Sequence, residues 1–175
     1  MPYWSLLTRT TKWLKPSRDT PSTAENKRFL FSMFTIHPVT VVTPELLAAF
    51  ERLMPQLTKA PIPTQAELQA LIDSPSRLII ARSPGETGPI VGAACLGVFR
   101  TPSGLHAHIE DVIVDESARG QGIGESLVNA LFDLARPMGL KGVSLTCNPR
   151  RVAANALYKK LGFKEWKTNT YWYEL

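Results

Sequence analysis

Apolar and polar positions along this chain recur with two different periods, and the changes of period mark its secondary structure. β-Branched and aromatic residues between positions 34 and 42 predict a first strand. Two helices follow this strand. Thr43 and Pro44 form the start of the first helix, and Thr64 with Glu67 forms a capping box that opens the second helix.

Strands and helices alternate through the rest of the chain. Several strands lie close together in sequence and are joined by short turns, which is typical of antiparallel neighbours. The pattern therefore predicts an α/β domain with a mixed, mostly antiparallel sheet and flanking helices. The predicted strands are 77–81, 90–99, 107–114 and 143–147, the predicted helices end near residues 138 and 161, and Trp166 with 171–173 suggests a closing hairpin.

The most informative stretch runs from His108 to Glu125, where an apolar strand leads through a glycine-rich turn into a long helix. Gly120, Gly122 and Gly124 form the turn. Backbone N–H groups at the N-terminus of a helix favour a bound phosphate. The turn is therefore a candidate phosphate-binding loop, and the alternative is that its glycines only close a tight connection.

Two common nucleotide-binding loops do not fit this turn. A Walker loop ends in Gly-Lys-Ser/Thr, whereas Gly124 is followed here by Glu125. A Rossmann loop has the spacing G-x-G-x-x-G, whereas the glycines here stand two and two residues apart. Arg119, at the start of the turn, is either a phosphate partner or a solvated turn residue.

Two motifs resemble those of the GNAT N-acetyltransferase superfamily. The run Arg119-Gly120-Gln121-Gly122-Ile123-Gly124 matches the acyl-CoA-binding pattern Arg/Gln-x-x-Gly-x-Gly/Ala. The segment from Asn155 through Tyr158 to Phe163 is similar to the superfamily's second signature. The resemblance implies the GNAT fold, in which two neighbouring strands, here 107–114 and 143–147, splay apart to admit acetyl-CoA as co-substrate.

The resemblance also implies which residues hold the cofactor. Strand edge groups would contact the pantetheine arm, N–H groups of the turn would receive the pyrophosphate, and the Tyr158 hydroxyl would face the thiol sulfur. The alternatives are a surface asparagine at position 155 and a packed aromatic at position 158. The implied cofactor-binding residues are Val112, Ile113, Val114, Arg119, Gly120, Gln121, Gly122, Ile123, Gly124, Asn155 and Tyr158.

Two acidic residues, Glu110 and Asp111, stand in the central strand before the glycine turn. Strand alternation places them on opposite faces unless a bulge intervenes. Glu110 is the first candidate for a general base and Asp111 the second, and the alternative for each is a salt bridge or an edge charge. The run 108–115 resembles the equivalent strand of glucosamine-6-phosphate N-acetyltransferases, where the acidic pair lies beside the acceptor amine. The candidate catalytic residues are Glu110, Asp111 and Tyr158.

Other polar residues near these motifs have less specific interpretations. His106, His108 and Glu110 share one strand face, but no further clustered ligand is apparent, so no metal site is predicted. His108 is expected instead to support a residue of the site or to take part in a water network. Arg150 and Arg151 are candidates for binding an anionic acceptor or a cofactor phosphate, or they form a solvated helix start.

Charge is distributed unevenly over the 175 residues, whose net charge is +5. Residues 1–32 carry six basic and two acidic residues, which predicts a basic N-terminal extension that is disordered or acts as a targeting leader. The GNAT domain is then expected to span 33–175. Because the basic charge lies mostly in the extension, no nucleic acid partner is expected for the domain.

Cysteine content and hydropathy bear on the compartment. Cys95 and Cys147 lie in apolar strand-like runs, which favours free thiols in a reducing compartment. No apolar run approaches the roughly 18 residues of a membrane span, so no membrane partner is expected. The expected localisation is cytoplasmic, or mitochondrial if residues 1–32 form a transit leader.

The resemblance of the two motifs and of the central strand implies an N-acetyltransferase that moves acetyl from acetyl-CoA to a primary amine of a small molecule, with an amino sugar as one candidate. The amine would attack the thioester directly while both substrates are bound. A protein or peptide N-acetyltransferase and a non-catalytic acetyl-CoA-binding module are the alternatives. A homodimer is a candidate assembly.

Overall fold

A computed structural model describes residues 34–175 of the chain. The predicted extension at residues 1–32 lies outside the described residues. Five strands form one sheet in sequence order, in which the first four are antiparallel and the fifth runs parallel to the fourth. The strands are β1 (Thr35–Pro38), β2 (Arg77–Arg82), β3 (Ile90–Thr101), β4 (Gly104–Val114) and β5 (Ser144–Leu145).

Within residues 34–175, four α-helices flank the sheet, and the predicted starts of the first two are confirmed. The Thr43 hydroxyl accepts a hydrogen bond from the Leu46 N–H, and Thr64 and Glu67 form a complete capping box. These contacts satisfy N–H groups that have no partner within the helix. The helices are α1 (Pro44–Leu53), α2 (Gln65–Asp73), α3 (Ile123–Ala135) and α4 (Val152–Lys160).

An apolar cluster fills each face of the sheet. The buried side of α3, including Leu127 and Leu131, packs on one face. The buried sides of α1 and α2, including Leu53 and Leu68, pack on the opposite face. A fully buried leucine contributes roughly 1.5–3 kcal/mol to the free energy of unfolding, so these two layers hold the sheet between them.

A β-bulge interrupts β4 at Asp111 and Val112, directly after Glu110. Cys95 of β3 pairs with Glu110, but Ala93 pairs with Ile113, so one residue of β3 faces two residues of β4. Asp111 has a φ of 50°, which is in the left-handed region. Among non-glycine residues, aspartate tolerates this conformation better than most because its short polar side chain bonds locally.

The bulge reverses the side-chain alternation along β4. Ile109 packs in the α3 layer, whereas Ile113 packs in the α1/α2 layer, although residues four apart share a face in a regular strand. Glu110, before the bulge, and Asp111, two residues before Ile113, therefore both lie on the α1/α2 face. The open question from the sequence is settled, because the two carboxylates share one face.

The buried thiol of Cys95 gives independent support for this placement. Cys95 belongs to the α1/α2 layer. Burial, followed by the negative charges of Asp111 and Glu110, raises the pKa of this thiol to about 11. The effect of both charges on this thiol agrees with the placement of Glu110 and Asp111 on the same face.

Strands β4 and β5 separate after a short contact. Only His108 with Ser144 and Ile109 with Leu145 are paired, while β4 continues to Val114. Residues 110–114 of β4 therefore have no partner from β5, which is the splay that the sequence predicts. The predicted strand 143–147 is confirmed only in its two central residues.

The predicted hairpin at the C-terminus is wrong. Residues 164–175 contain no strand, and Trp166 and Trp172 are 82% and 91% exposed. The aromatic alternation there has no apolar layer to face, and β5 offers an edge of only two residues for pairing. Among residues 34–175, no helix combines the length and the apolar character that crossing a membrane requires.

Candidate active site

The two carboxylates lie where β4 leaves its partner strand, and their surroundings differ. The Glu110 side chain is 57% exposed, and its Oε1 atom lies 3.5 Å from Nε2 of His108. Asp111 is exposed as a residue, yet neighbouring protein atoms partly desolvate its carboxyl group. This burial raises the pKa of Asp111, against the opposing effect of the Arg151 charge. Two acids with different environments thus face the same side of the cleft.

The glycine turn forms an open concavity at the N-terminus of α3. Gly120 and Gly122 have φ values of 77° and 82°, in the region that favours glycine, and no atom lies within 4 Å of a Cβ built on either. Gly122 is the N-cap of α3, and the buried side chain of Ile123 fixes the first turn. The N–H groups of this turn are thus held at an open surface where an anion can approach.

The segment between β4 and the glycine turn is fixed by α1 and the 3₁₀ turn that follows it. Asp115 is 5% exposed, pairs with Arg52 of α1, and accepts a hydrogen bond from the Ser117 N–H. The Gln56 Oε1 accepts hydrogen bonds from the Glu116 N–H at 2.9 Å and from Arg119. The helix α1 and the 3₁₀ turn after it therefore hold one end of the glycine turn.

The Arg119 side chain is hydrogen-bonded to neighbouring residues of the protein. Its Nε donates to the Val114 carbonyl at 3.1 Å, and Nη2 donates to Gln56 at 3.3 Å. These contacts direct the guanidinium toward the base of the turn. Sequence reasoning missed Arg52, Gln56 and Asp115, because no local pattern indicates that residues about 60 positions apart meet.

The Asn155 side chain is hydrogen-bonded to the loop that precedes α4. Its Nδ2 donates to the carbonyls of Asn148 and Arg151 at 2.9 and 3.0 Å. Only its Oδ1 remains for a further contact. These contacts give Asn155 a structural role, and its contact with the cofactor stays a prediction.

Tyr158 stands on α4 beside the cleft. Its ring is half-buried and contacts Phe163 edge-on with a centroid separation of 5.7 Å. Its hydroxyl forms no hydrogen bond with any residue of the described part of the chain. Burial, with a smaller contribution from Cys147 and opposed by Arg151, raises the pKa of Tyr158 above its ordinary value of 10.0. The phenol therefore stays protonated at neutral pH.

The helix α4 packs beside the glycine turn. Lys160 and Glu125 form an ion pair at 2.6 Å, and a Cβ added to Gly124 would lie 3.5 Å from Leu157. Arg151, at the start of α4, donates a hydrogen bond to the Leu57 carbonyl. Val112 and Val114 pack in the same apolar cluster as Tyr158 of this helix. The edge of β4 over residues 110–114 has no partner from β5, so the backbone of Val112, Ile113 and Val114 can pair there with an added extended chain.

No group of three or more potential metal-binding side chains occurs among residues 34–175. His106 lies against Phe99 with a centroid separation of 5.5 Å, and its Nε2 is 3.1 Å from the Ser103 hydroxyl. His108 is directed instead toward Ser144 and Glu110. The two histidines of β4 thus have separate partners.

Comparison with known proteins identifies the family. Residues 44–163 match the Acetyltransferase (GNAT) family. This chain belongs to the GNAT family. It is therefore an acetyltransferase, and the strand, glycine turn and helix described above are the part of the domain that carries the first family motif.

Relatives and solved structures agree with this assignment. The chain is 34% identical over 126 residues to a protein of Oryza sativa subsp. japonica named "Probable glucosamine 6-phosphate N-acetyltransferase 2". The aligned residues cover 66% of this chain and 74% of the relative. It is 33% identical over 126 residues to the glucosamine 6-phosphate N-acetyltransferase of Trypanosoma brucei brucei, which covers 67% and 82%. The crystal structure of an acetyltransferase from Trypanosoma brucei superimposes with a TM-score of 0.63 at 28% identity over 81% of this chain and 99% of that one.

GNAT acetyltransferases generally use acetyl-CoA as co-substrate. The residues of this domain fit such a group in two places. The open turn at Gly120 and Gly122 offers N–H groups to a pyrophosphate, and the separated end of β4 offers backbone groups to an extended arm.

The role of Tyr158 is testable in this GNAT domain. Tyr158→Phe is expected to lower kcat about tenfold, because the departing thiolate would lose a proton donor but has an ordinary pKa near 8.5 and can leave unaided. Since the pKa of Tyr158 is raised, the wild-type rate should show no loss from its ionisation below about pH 9. Initial rates of thiol release from pH 6 to 9.5 measure both effects. Equal rates for the two proteins across this range would contradict the assignment.

Proposed function

We propose that this protein transfers acetyl from acetyl-CoA to the primary amine of glucosamine 6-phosphate or a closely similar amino sugar phosphate. The observation that carries the proposal is the bulge that puts Glu110 and Asp111 on one face beside the separated strands. The relatives named as glucosamine 6-phosphate N-acetyltransferases support this acceptor class. The positive charge of Arg151, near Asp111, is suited to an anionic acceptor.

Each proposed group has a defined step. Glu110 takes a proton from the acceptor ammonium, directly or through one water, and the free amine attacks the thioester carbonyl. The new C–N bond forms as the C–S bond breaks, and the Tyr158 hydroxyl gives its proton to the departing sulfur. The nitrogen then loses its second proton to solvent, and solvent returns a proton to the Tyr158 phenolate. Asp111 orients the amine. No covalent intermediate with the protein is needed, because holding both substrates together can supply roughly 7–11 kcal/mol of the barrier reduction.

The proposed cofactor-binding residues are those that the sequence predicts, but Arg119 and Asn155 have narrower roles. The N–H groups of 120–124 receive the pyrophosphate, the backbone of 112–114 contacts the pantetheine arm, and Tyr158 reaches the sulfur. Arg119 acts chiefly by holding the turn through its contacts with Val114 and Gln56. The Oδ1 of Asn155 is the part of that side chain available to the cofactor.

The acceptor is tested with the full-length chain and three compounds of matched shape. Released thiol is followed with acetyl-CoA and either glucosamine 6-phosphate, glucosamine or glucose 6-phosphate. We expect kcat/KM for glucosamine 6-phosphate to exceed that for glucosamine at least about tenfold, because a charge-assisted contact to phosphate contributes roughly 1.5–3 kcal/mol. Glucose 6-phosphate, which lacks the amine, should give no release.

A different ranking would overturn the acceptor assignment. Efficient acetylation of peptide amines without turnover of either amino sugar would assign the protein to the peptide N-acetyltransferases of the same fold. We also propose that the domain spans 33–175, that it forms a homodimer without nucleic acid or membrane partners, and that it is cytoplasmic or mitochondrial.

A further inference from the structure

A chain of polar side chains connects β5 to Glu110. The Nδ1 atom of His108 lies 2.8 Å from the Ser144 hydroxyl, and its Nε2 atom lies 3.5 Å from Oε1 of Glu110. His108 and Ser144 are directly paired across β4 and β5, at one of the two positions where these strands are joined. The histidine is thus held at the point where the cleft opens, one residue pair before the strands separate.

The partners of His108 favour one of its two neutral tautomers. The Ser144 hydroxyl lies 2.8 Å from the His108 Nδ1 and 3.4 Å from the Ala107 carbonyl, and it can serve His108 as a donor or as an acceptor. Because a carboxylate can only accept, a hydrogen bond from His108 to Glu110 requires the hydrogen on Nε2, and Nδ1 then accepts from the Ser144 hydroxyl. An N–H at Nε2 then faces the carboxylate of Glu110, whereas a bare lone pair at that position would repel it.

Glu110 has no other side-chain partner among residues 34–175, and its side chain is 57% exposed. A free glutamate in this setting samples several rotamers, and a proton acceptor is effective only when held within hydrogen-bond reach of the proton it takes. The His108 side chain, 24% exposed and supported by Ser144, is the less mobile partner. The contact therefore restricts the direction in which the Glu110 carboxylate points.

We propose that His108, held by Ser144, is a positioning residue that directs the Glu110 carboxylate toward the acceptor amine. This inference rests on the proposed role of Glu110 as the proton acceptor. Ser144 sets the tautomer of His108, and His108 sets the orientation of Glu110, so each acts through the next. Neither residue needs to contact the substrate.

A double-mutant cycle separates positioning from a general structural effect. His108→Leu is expected to lower kcat roughly tenfold, which is the size of coupling found between contacting residues, with the KM for acetyl-CoA unchanged within about twofold. In a Glu110→Gln background the same substitution should change kcat by less than about twofold, because the group it positions is already lost. A tenfold loss in both backgrounds would overturn the proposal.

Conservative variants and a matched control complete the test. His108→Gln keeps an N–H donor near the position of Nε2 and should recover at least about half of the lost rate, whereas recovery no better than leucine counts against the proposal. Ser144→Ala should lower kcat about threefold and Ser144→Thr should restore it, which keeps the test open if His108→Leu fails to fold. His106→Leu, on the same strand face but paired with Ser103 and Phe99, should leave kcat unchanged.

The design also distinguishes this inference from the proposed acceptor. The cycle uses whichever amine the wild-type protein acetylates. If glucosamine 6-phosphate is not a substrate but another amine is, the acceptor proposal fails and the coupling of His108 to Glu110 is still measured. If glucosamine 6-phosphate is acetylated and the cycle is additive, only the positioning inference fails.

Discussion

Glu110→Gln is expected to lower kcat for amine acetylation about 10³-fold while leaving the affinity for acetyl-CoA unchanged. Glutamine keeps the size and the hydrogen-bonding shape of the side chain but cannot take a proton, and a positioned general base contributes about 10²–10⁴-fold. Initial rates of thiol release at saturating acetyl-CoA measure the loss. Isothermal titration with acetyl-CoA, which needs no acceptor, measures the affinity.

Asp111→Asn is the matched comparison to Glu110→Gln, because it removes a carboxylate charge from the neighbouring residue on the same face of β4. Asparagine also tolerates the φ of 50° found at this position. We expect a loss of less than about tenfold, since asparagine still accepts a hydrogen bond from the amine. If Asp111→Asn costs more activity than Glu110→Gln, Asp111 is the base and the proposed roles of the two residues are exchanged.

Gly122→Val is expected to weaken acetyl-CoA binding about hundredfold. Valine is strained at the φ of 82° that Gly122 adopts, so the turn must change shape. Moving its N–H groups would remove about two charge-assisted hydrogen bonds to a pyrophosphate, and roughly 2.7 kcal/mol of lost binding corresponds to a hundredfold change in Kd. Isothermal titration of the folded variant measures this Kd.

Gly139→Val supplies the control for backbone strain. Gly139 follows the C-terminal end of α3, has a φ of 72°, and has open space around a Cβ, as Gly122 has at the other end of the helix. Both variants should lose about 1–3 kcal/mol in the free energy of unfolding, but only Gly122→Val should lose affinity. Equal losses of affinity would mean that the effect is global and that the turn is not the cofactor site.

Much of the fold could be predicted from the sequence, because its signals are local. The N-caps Thr43 and Thr64, the strand before the glycines and the apolar stripe of α3 each act within one element. The C-terminal hairpin could not be predicted correctly in the same way. The aromatic pattern at 171–173 indicates only that a strand would suit these residues, whereas a strand also requires an edge to pair with, and β5 provides two residues.

The candidate site, like the fold, could be predicted from the sequence only in part. The motifs predict which residues gather near the cleft, but the shared face of Glu110 and Asp111 depends on a register shift against β3 that no spacing in β4 reveals. The anchoring of the glycine turn by Gln56 and Arg52 depends on contacts across about 60 residues. Such contacts follow from the tertiary packing of α1, so they become visible only once the layers are assembled.

The side chains of β4 exchange faces of the sheet at the bulge, and this bears on how specificity for a new acceptor could arise in this family. Ile109 belongs to the layer beneath the α3 helix, and Ile113 belongs to the layer beneath α1 and α2. Apart from Arg52, which pairs with Asp115 ahead of the glycine turn, substitutions in α1 and α2 can therefore reshape the face that carries Glu110 and Asp111 without repacking the α3 layer. We expect diversification of the amine substrate to proceed by substitution in the α1/α2 layer, with the acetyl-donor site beside α3 inherited unchanged.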